Sequence, residues 1–479
     1  MSAVWSIAKA EMAWLSRSRL AQMSAGIFLL LLALSALTST VFLSEQFDHR
    51  QTHQDEATDI FEDQPDRHPH RMVHYGQYVF RTPPPLASID PGLDAYGGTS
   101  IFLEGHRQNA AMFAGASEGA AMVRFGNLTP AFILQVLAPL LLILIGHSGL
   151  TRERESSTLQ VLLAQGVKLR SIALGKLTVQ LIISAVCVLV LAVAAFTAGP
   201  EDTRDSVSAT AVVLVYAVYL AIWALAVTSI STMLRRSSSA FLVLAALWMI
   251  VTIVVPRVAA DVASTAAPLE SAFARQMALA TSLRALGDSH NPSDPNYVDF
   301  QSKVLADYGV ETLDELPINI RGLMAVEGER QGAEVLARFS GADQDARVRQ
   351  QEIIGVAGLL SPVLAIQRAS QAIAGTDLAA YHRFLNTAEE HRLAFVQALN
   401  MLQATEVDYT LDKLKSIDVQ AERATRVSAD AWRSLPAFVF EPAASSTRIA
   451  NAIPSVILLL LWFAGSTGLF LWATGRRNL

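Results

Sequence analysis

Six stretches of the chain hold no Asp, Glu, Lys or Arg over lengths that suit a bilayer: 23–43, 131–150, 179–198, 209–233, 240–256 and 453–474. A hydrocarbon core of about 30 Å takes roughly 20 residues of helix. The pattern therefore predicts six spans, at 21–43, 131–150, 178–199, 208–234, 238–257 and 450–475. The fifth apolar run is the shortest, but Trp248 followed by Met-Ile-Val-Thr-Ile-Val-Val favours a span over a buried soluble helix. Lys and Arg gather in every second connection: Lys9, Arg17 and Arg19; Arg152, Arg154, Lys168, Arg170 and Lys176; Arg235 and Arg236; Arg476 and Arg477. By the positive-inside rule these lie in the cytoplasm, with both termini. Segments 44–130, 199–208 and 258–449 then face outward. The first apolar run exceeds a signal peptide's usual 7–15 or so residues and no A-x-A site follows, so it reads as a retained anchor.

The polar parts differ in texture. Residues 1–20 place Trp5, Ala8, Met12 and Leu15 at helical spacing, a helix for the cytoplasmic interface of the membrane. Segment 44–130 starts acidic and His-rich and passes through Pro83-Pro84-Pro85, Gly92, Gly97 and Gly98. It predicts little regular structure to about residue 85, and a helix over 110–125 with Met112, Phe113 and Met122. Segment 258–449 is long enough for a core of its own. Its helix formers predict helices at 267–288, 297–308, 321–339, 343–374, 377–403 and 405–434, with breaks at Asn291–Pro295, Pro317, Gly341 and Gly375. The fold class is thus an all-α membrane protein with six transmembrane helices and a mostly helical extracytoplasmic domain between spans five and six. Composition agrees: 52 % apolar and 17 % charged, against about 25 % charged in soluble domains. A net charge of −6 argues against nucleic acid as a partner. The lone Cys187 excludes a disulfide framework and a Cys-based metal site.

The cytoplasmic segment 151–177 is the most informative. Leu159, Leu162 and Leu163 form a short apolar stripe, flanked by Arg152, Glu153, Arg154 and Glu155 before it and Lys168 and Arg170 after it. Ser157 or Thr158 can cap the helix start. An amphipathic helix between two spans suits docking to a soluble partner. The residues Glu153, Glu155, Thr158, Leu159, Leu162, Leu163, Gly175 and Lys176 resemble the coupling segment of ABC transporter permeases of the type-2 exporter class, roughly E-x-E-x-G-T-L, L-L and G-K. Ser157 stands where that family usually has Gly. The large inserts between spans one and two and between five and six resemble a branch linked to multicopper-enzyme maturation. Leu360-Ser361-Pro362, Gly375-Thr376-Asp377, Phe384 and Glu390-His391-Arg392 are similar to stretches in that branch. The resemblance implies a bacterial inner-membrane permease that pairs with a second permease subunit, identical or similar. A dimer of cytoplasmic ABC ATPases would bind ATP and Mg. A periplasmic protein and membrane lipid are further implied partners.

The chain itself has no G-x-x-x-x-G-K-[ST], so ATP hydrolysis is expected elsewhere, and no cofactor is expected in this chain. Ion coupling would call for ionisable groups within the spans. His147, near the cytoplasmic end of span two, is the sole candidate and reads as an interface residue. Pro139 and Pro454 predict kinks or an entry bend. Six of the ten histidines lie in the first outer segment: His49, His53, His68, His70, His74 and His106. His68, His70 and His74 could meet at one copper or zinc ion if the segment turns; the plainer reading is a solvated loop. The outer segment 258–449 holds no G-x-S-x-G and no H-E-x-x-H that would point to a hydrolase. The leading expectation is an ABC permease that couples ATP hydrolysis to export, or to force on a periplasmic partner. The alternative is a non-transporting receptor or scaffold whose outer domain binds a partner.

Overall fold

A computed structural model describes residues 3–113 and 128–475. The chain is 76 % helical with almost no sheet. Among the described residues, six helices are long and apolar enough to cross a membrane: Arg19–Glu62, Pro130–Glu155, Leu169–Thr197, Ser206–Met233, Ser237–Ala266 and Ser445–Gly475. This is a multi-pass membrane protein. The fourth of these helices is central: Tyr216, Tyr219, Leu220 and Trp223 are buried between the third and sixth helices and their neighbours. In the first, fifth and sixth, only 22 %, 17 % and 22 % of the most apolar window is buried, so lipid or another chain must cover the remainder.

Two spans carry a π-helical turn, Ile133–Leu137 and Ile250–Val254, and each stands just before a proline, Pro139 and Pro256. Proline has no N–H to offer the carbonyl four residues back and its ring crowds it, so the wider turn relieves both. The carbonyl of Gln135, four residues before Pro139, accepts instead from the Tyr219 hydroxyl at 2.5 Å. Neighbouring carbonyls find partners too: Trp248 Nε1 donates to Val136 O at 3.0 Å and Ser361 Oγ to Val251 O at 2.5 Å. Pro454, by contrast, sits inside the continuous helix Ser445–Gly475.

The segment expected to be irregular to residue 85 is largely ordered. The first span's helix runs on to Glu62, about 19 residues beyond the apolar run, because the polar stretch after it is rich in Gln and Glu with neither Gly nor Pro before residue 65. A short helix, Pro69–Tyr75, follows. Then strand β1, Gln77–Phe80, pairs antiparallel with β2, Ser100–Leu103, with Gln77 opposite Leu103 and Phe80 opposite Ser100. The all-α reading thus misses one small hairpin. The helix expected over 110–125 lies mainly outside the described residues, and 110–113 are not helical.

After the fifth span come Ala272–Arg284, Val298–Tyr308, Ile320–Val356, Pro362–Ala374 and Leu378–Glu406. Gly341 does not break the third of these. Nothing lies within 4 Å of where its Cβ would stand, so its cost is only the ~1 kcal/mol of a helical glycine. The break falls instead at Ser361-Pro362, where Ser361 caps the next helix. Residues 405–434 form three short helices, Tyr409–Leu414, Val419–Ala424 and Asp430–Arg433. Asp408 and Asp418 start the first two as N-caps.

The two polar segments build one head. Phe61, Met72 and Val73 pack on Phe395, Val396, Leu399 and Trp432, while Val79, Ile101 and Leu103 pack on Phe384, Ala388 and Phe438. Arg67 and Val427 exchange backbone hydrogen bonds. The helix Pro362–Ala374 roots this head in the spans: Val363, Ala365, Ile366, Ala369 and Ile373 belong to the same core as the apolar helices.

Candidate functional site

The 151–177 segment forms a bent lever. Helix Thr151–Glu155 is followed by Ser157 in the left-handed region, φ +60°, then by helix Thr158–Ala164 and by Gly166, φ +84°, before the third span begins. Ser157 makes no capping hydrogen bond. It is a backbone corner, the role a glycine fills without strain.

Two of the residues singled out in the sequence turn inward. Lys176 Nζ donates to Glu11 Oε2 at 2.5 Å and to Glu153 Oε1 at 2.7 Å. Arg152 donates to Glu11 Oε2 at 2.7 Å, and its guanidinium stacks 3.6 Å from the Trp14 ring centroid. The side chains of Lys176 and Glu11 are 8 % and 6 % exposed. Two cations and two carboxylates balance in a dry pocket, so each ion has a partner to offset its desolvation. Gly175 belongs to the same joint: a Cβ there would lie 2.7 Å from Ile7 Cγ2, so glycine lets the helix Ala3–Leu15 lie against the third span. Glu155 accepts from the backbone N–H of Ser237 at 2.8 Å and its hydroxyl at 2.7 Å, tying the lever to the fifth span. Leu159, 4 % exposed, closes a cluster with Leu150, Leu169, Ile172, Leu177 and Phe470, and Leu162 and Leu163 sit half-buried at its edge. Thr158 is exposed, its hydroxyl 2.9 Å from that of Ser156. The outward face consists of Gln160, Val161 (54 % exposed), Ala164, Gln165, Lys168 and Arg170.

Glu11 and Val161 escaped the sequence reading, though Glu11 had a signal. It lies three residues after Ala8 and four before Leu15, on the face that is buried, and an acid there needs a buried cation. His147, at the near end of the second span, bonds carbonyls of its own helix and stands edge-on to Phe241 at 5.4 Å.

In the head, the candidate histidines separate. His68 is buried: its Nε2 donates to Asp412 at 3.0 Å, while its Nδ1 accepts the backbone N–H of His70 and caps the 69–75 helix; Lys415 binds the same Asp412 carboxylate at 2.6 Å. Both its nitrogens are engaged. His70 and His74, one turn apart, put their Nε2 atoms 3.2 Å from each other. His106 and His290 join them: ring centroids lie 4.6 Å apart for His70–His290, 4.9 Å for His106–His290 and 5.2 Å for His74–His106. One nitrogen each of His70, His106 and His290 falls within 4.8 Å of the others. Burial, reinforced by the neighbouring imidazoles, pushes His70 down to about 2 and lowers His74 and His290. His106 is held with φ +66°. Its Nδ1 and backbone N both lie 3.1 Å from Glu329 Oε2. Glu329 is itself buried and bound at 2.5 Å by Arg392. Burial works to raise its pKa, but the bonds from His106 and Arg392 hold it down at about 2.

The stretches from the resemblance serve the architecture. Ser361 and Asp377 are N-caps and Gly375 is a left-handed corner at φ +76°. Phe384 is core. Arg392 braces Glu329, and Glu390 lines an open cleft of about 700 Å³ with Arg368, Asp377, His382 and Asn386. A buried polar knot joins head and spans: Gln135 donates to Tyr216 Oη at 2.7 Å and to Asp90 at 3.5 Å, and Tyr216 meets Ser370 at 3.1 Å. Burial raises the Asp90 carboxyl to about 6.

No curated protein matches the chain. Residues 269–441, the segment between the fifth and sixth apolar helices, match the family model described as a domain of unknown function (DUF3526).

Proposed function

We propose that this chain is the membrane-spanning permease subunit of an ATP-binding cassette transporter of the type-2 exporter class. In this reading it lies in the bacterial inner membrane with both termini in the cytoplasm. The observation that carries the reading is the lever at 151–177. Its inner side is locked to the third span by Lys176, to the fifth by Glu155 and to the first helix by Glu11. Its outer side leaves Gln160, Val161, Ala164 and Gln165 free to meet a partner. Helix Thr151–Glu155 is held at three points, and Leu159 seats the following helix Thr158–Ala164 in the cluster beneath it, so a push on the outer face meets a firm support, as coupling a separate ATPase to the spans demands.

A second permease subunit is part of the proposal. Arg257 and Asp261 mark the end of the fifth span's apolar length, yet Val258 and Val262 beyond it remain about half exposed, as do Phe273 (75 %) and Met277 (50 %) on the next helix. These apolar side chains beside charged ones suit a protein neighbour better than water. The activity proposed for this assembly is export, or transmission of force to a periplasmic partner of the head.

Co-purification tests it. The tagged chain, extracted in mild detergent from its native cell, brings down an ATPase, and Val161→Asp releases that ATPase while leaving the chain folded. Leu159 is the wrong residue for this test because its burial confounds folding with docking. Absence of any co-purifying ATPase, or retention of it by Val161→Asp combined with Gln165→Glu, refutes the coupling role.

A further inference from the structure

We propose that His70, His74, His106 and His290 form a binding site in the head for one divalent, imidazole-seeking transition-metal ion, zinc or copper(II). The site stands on geometry. Its four rings come from three separate segments: the helix Pro69–Tyr75, the turn after β2, and the loop before Val298–Tyr308. They converge with no carboxylate among them, although Glu104, Asp288 and Glu329 stand nearby and soften the local positive field once an ion is bound.

Four features set this cluster apart from a chance meeting of solvated histidines. A tetrahedral ion with bonds of 2.0–2.1 Å brings its nitrogens to about 3.4 Å from one another; the His70–His74 separation is already 3.2 Å. One nitrogen each of His70, His106 and His290 lies within 4.8 Å of the others. Second, His106 Nε2 is buried and has no hydrogen-bond partner, a cost that an ion removes. Third, Glu329 receives His106 Nδ1, which leaves Nε2 as the lone-pair nitrogen aimed inward. A carboxylate behind a ligating imidazole is the usual orienting partner in zinc sites, and Arg392 fixes that carboxylate in turn. Fourth, His106 keeps a positive φ that a non-glycine residue adopts at a cost, held by the backbone bond to Glu329. His74 and His290 are exposed, so an ion has a route in from water.

The donor set selects the ion class. Imidazoles suit zinc and copper(II), while the absence of oxygen ligands among the four disfavours calcium and magnesium. Because the ligands bridge the segment before the second span and the segment after the fifth, the ion acts as a staple across the head. This proposal is independent of the transport reading.

The test uses the full chain in detergent, stripped with a chelator, then titrated with zinc sulfate and separately with copper(II) sulfate. About one ion per chain survives desalting and raises the thermal midpoint. His290→Asn, at an exposed position, lowers affinity at least tenfold while leaving the ion-free midpoint unchanged. His106→Asn with His290→Asn abolishes retention, and His49→Asn with His53→Asn changes nothing. Zinc retained in preference to calcium and magnesium, with cobalt(II) giving the intense visible bands of a tetrahedral nitrogen site, supports the zinc assignment. A nitrogen-coupled copper(II) resonance lost in His290→Asn supports copper. Failure to retain either ion, or equal retention by the double variant, overturns the proposal.

Discussion

The joint between the first helix and the lever carries the largest single energetic consequence. Lys176 and Glu11 are 8 % and 6 % exposed with N and O at 2.5 Å. Taking charge centres about 4 Å apart and an effective dielectric of 20, their attraction is about 4 kcal/mol. Removing one partner alone strands the other in the dry pocket, a loss of about 3–5 kcal/mol, tempered here because Arg152 still reaches Glu11 and Glu153 still lies near. Lys176→Met and Glu11→Gln should therefore each destabilise by about 2–4 kcal/mol. The double variant should cost far less than their sum, leaving a coupling of about 2 kcal/mol or more. The assay is a double-mutant cycle on reversible unfolding in mixed detergent micelles. The pair Arg330–Glu334, whose side chains are 52 % and 68 % exposed, serves as the internal control and should couple by less than ~0.5 kcal/mol. If the Lys176–Glu11 coupling is no larger than that of the control, the lever is not locked through this joint and its rigidity must come from elsewhere.

Three further outcomes follow from particular residues. Ser157→Gly should raise stability by about 0.5–1 kcal/mol, because φ +60° strains a side-chain-bearing residue; a melting curve that fails to move upward would show the corner to be unstrained. Leu159→Ala should cost about 2–4 kcal/mol for its place in the buried cluster, whereas Val161→Ala, at 54 % exposed, should stay within ~0.5 kcal/mol, as chemical denaturation can check. Asp90 should make the chain less stable as pH rises. Its carboxyl is raised from 3.8 to about 6 by burial, so the folded state holds the proton more tightly than the unfolded one. That contribution is fully present below about pH 4 and lost as pH rises through about 6, up to about 3 kcal/mol. Asp90→Asn should flatten this part of the pH profile of thermal stability; an unchanged profile would mean the carboxyl is already ionised in the folded chain.

The corner at Ser157 and the helix break at Ser361-Pro362 show how far local chemistry reaches. Each apolar run corresponds to one of the six apolar helices of the described residues, because a run long enough to cross lipid is set by the bilayer and by nothing distant. The polar extension of the first span to Glu62 was misread because acidic, His-rich composition looks like loop, while its helix propensity and its packing through Phe61 on Phe395 decide otherwise. Gly341 was misread for a related reason: an exposed helical glycine costs less than the surrounding helix gains.

What the sequence by itself determined is therefore governed by neighbours along the chain: six apolar helices and a basic cluster in every second connection. What only the tertiary structure decided is everything governed by neighbours in space. Glu11 meets Lys176 across 165 positions, His68 leaves its sequence neighbours for Asp412 across 344, and His290 crosses from the far side of the fifth span to close on His70. Periodicity tells which face of an element must be covered, but the identity of the covering residue depends on how the chain closes its long loops. No local pattern encodes that closure.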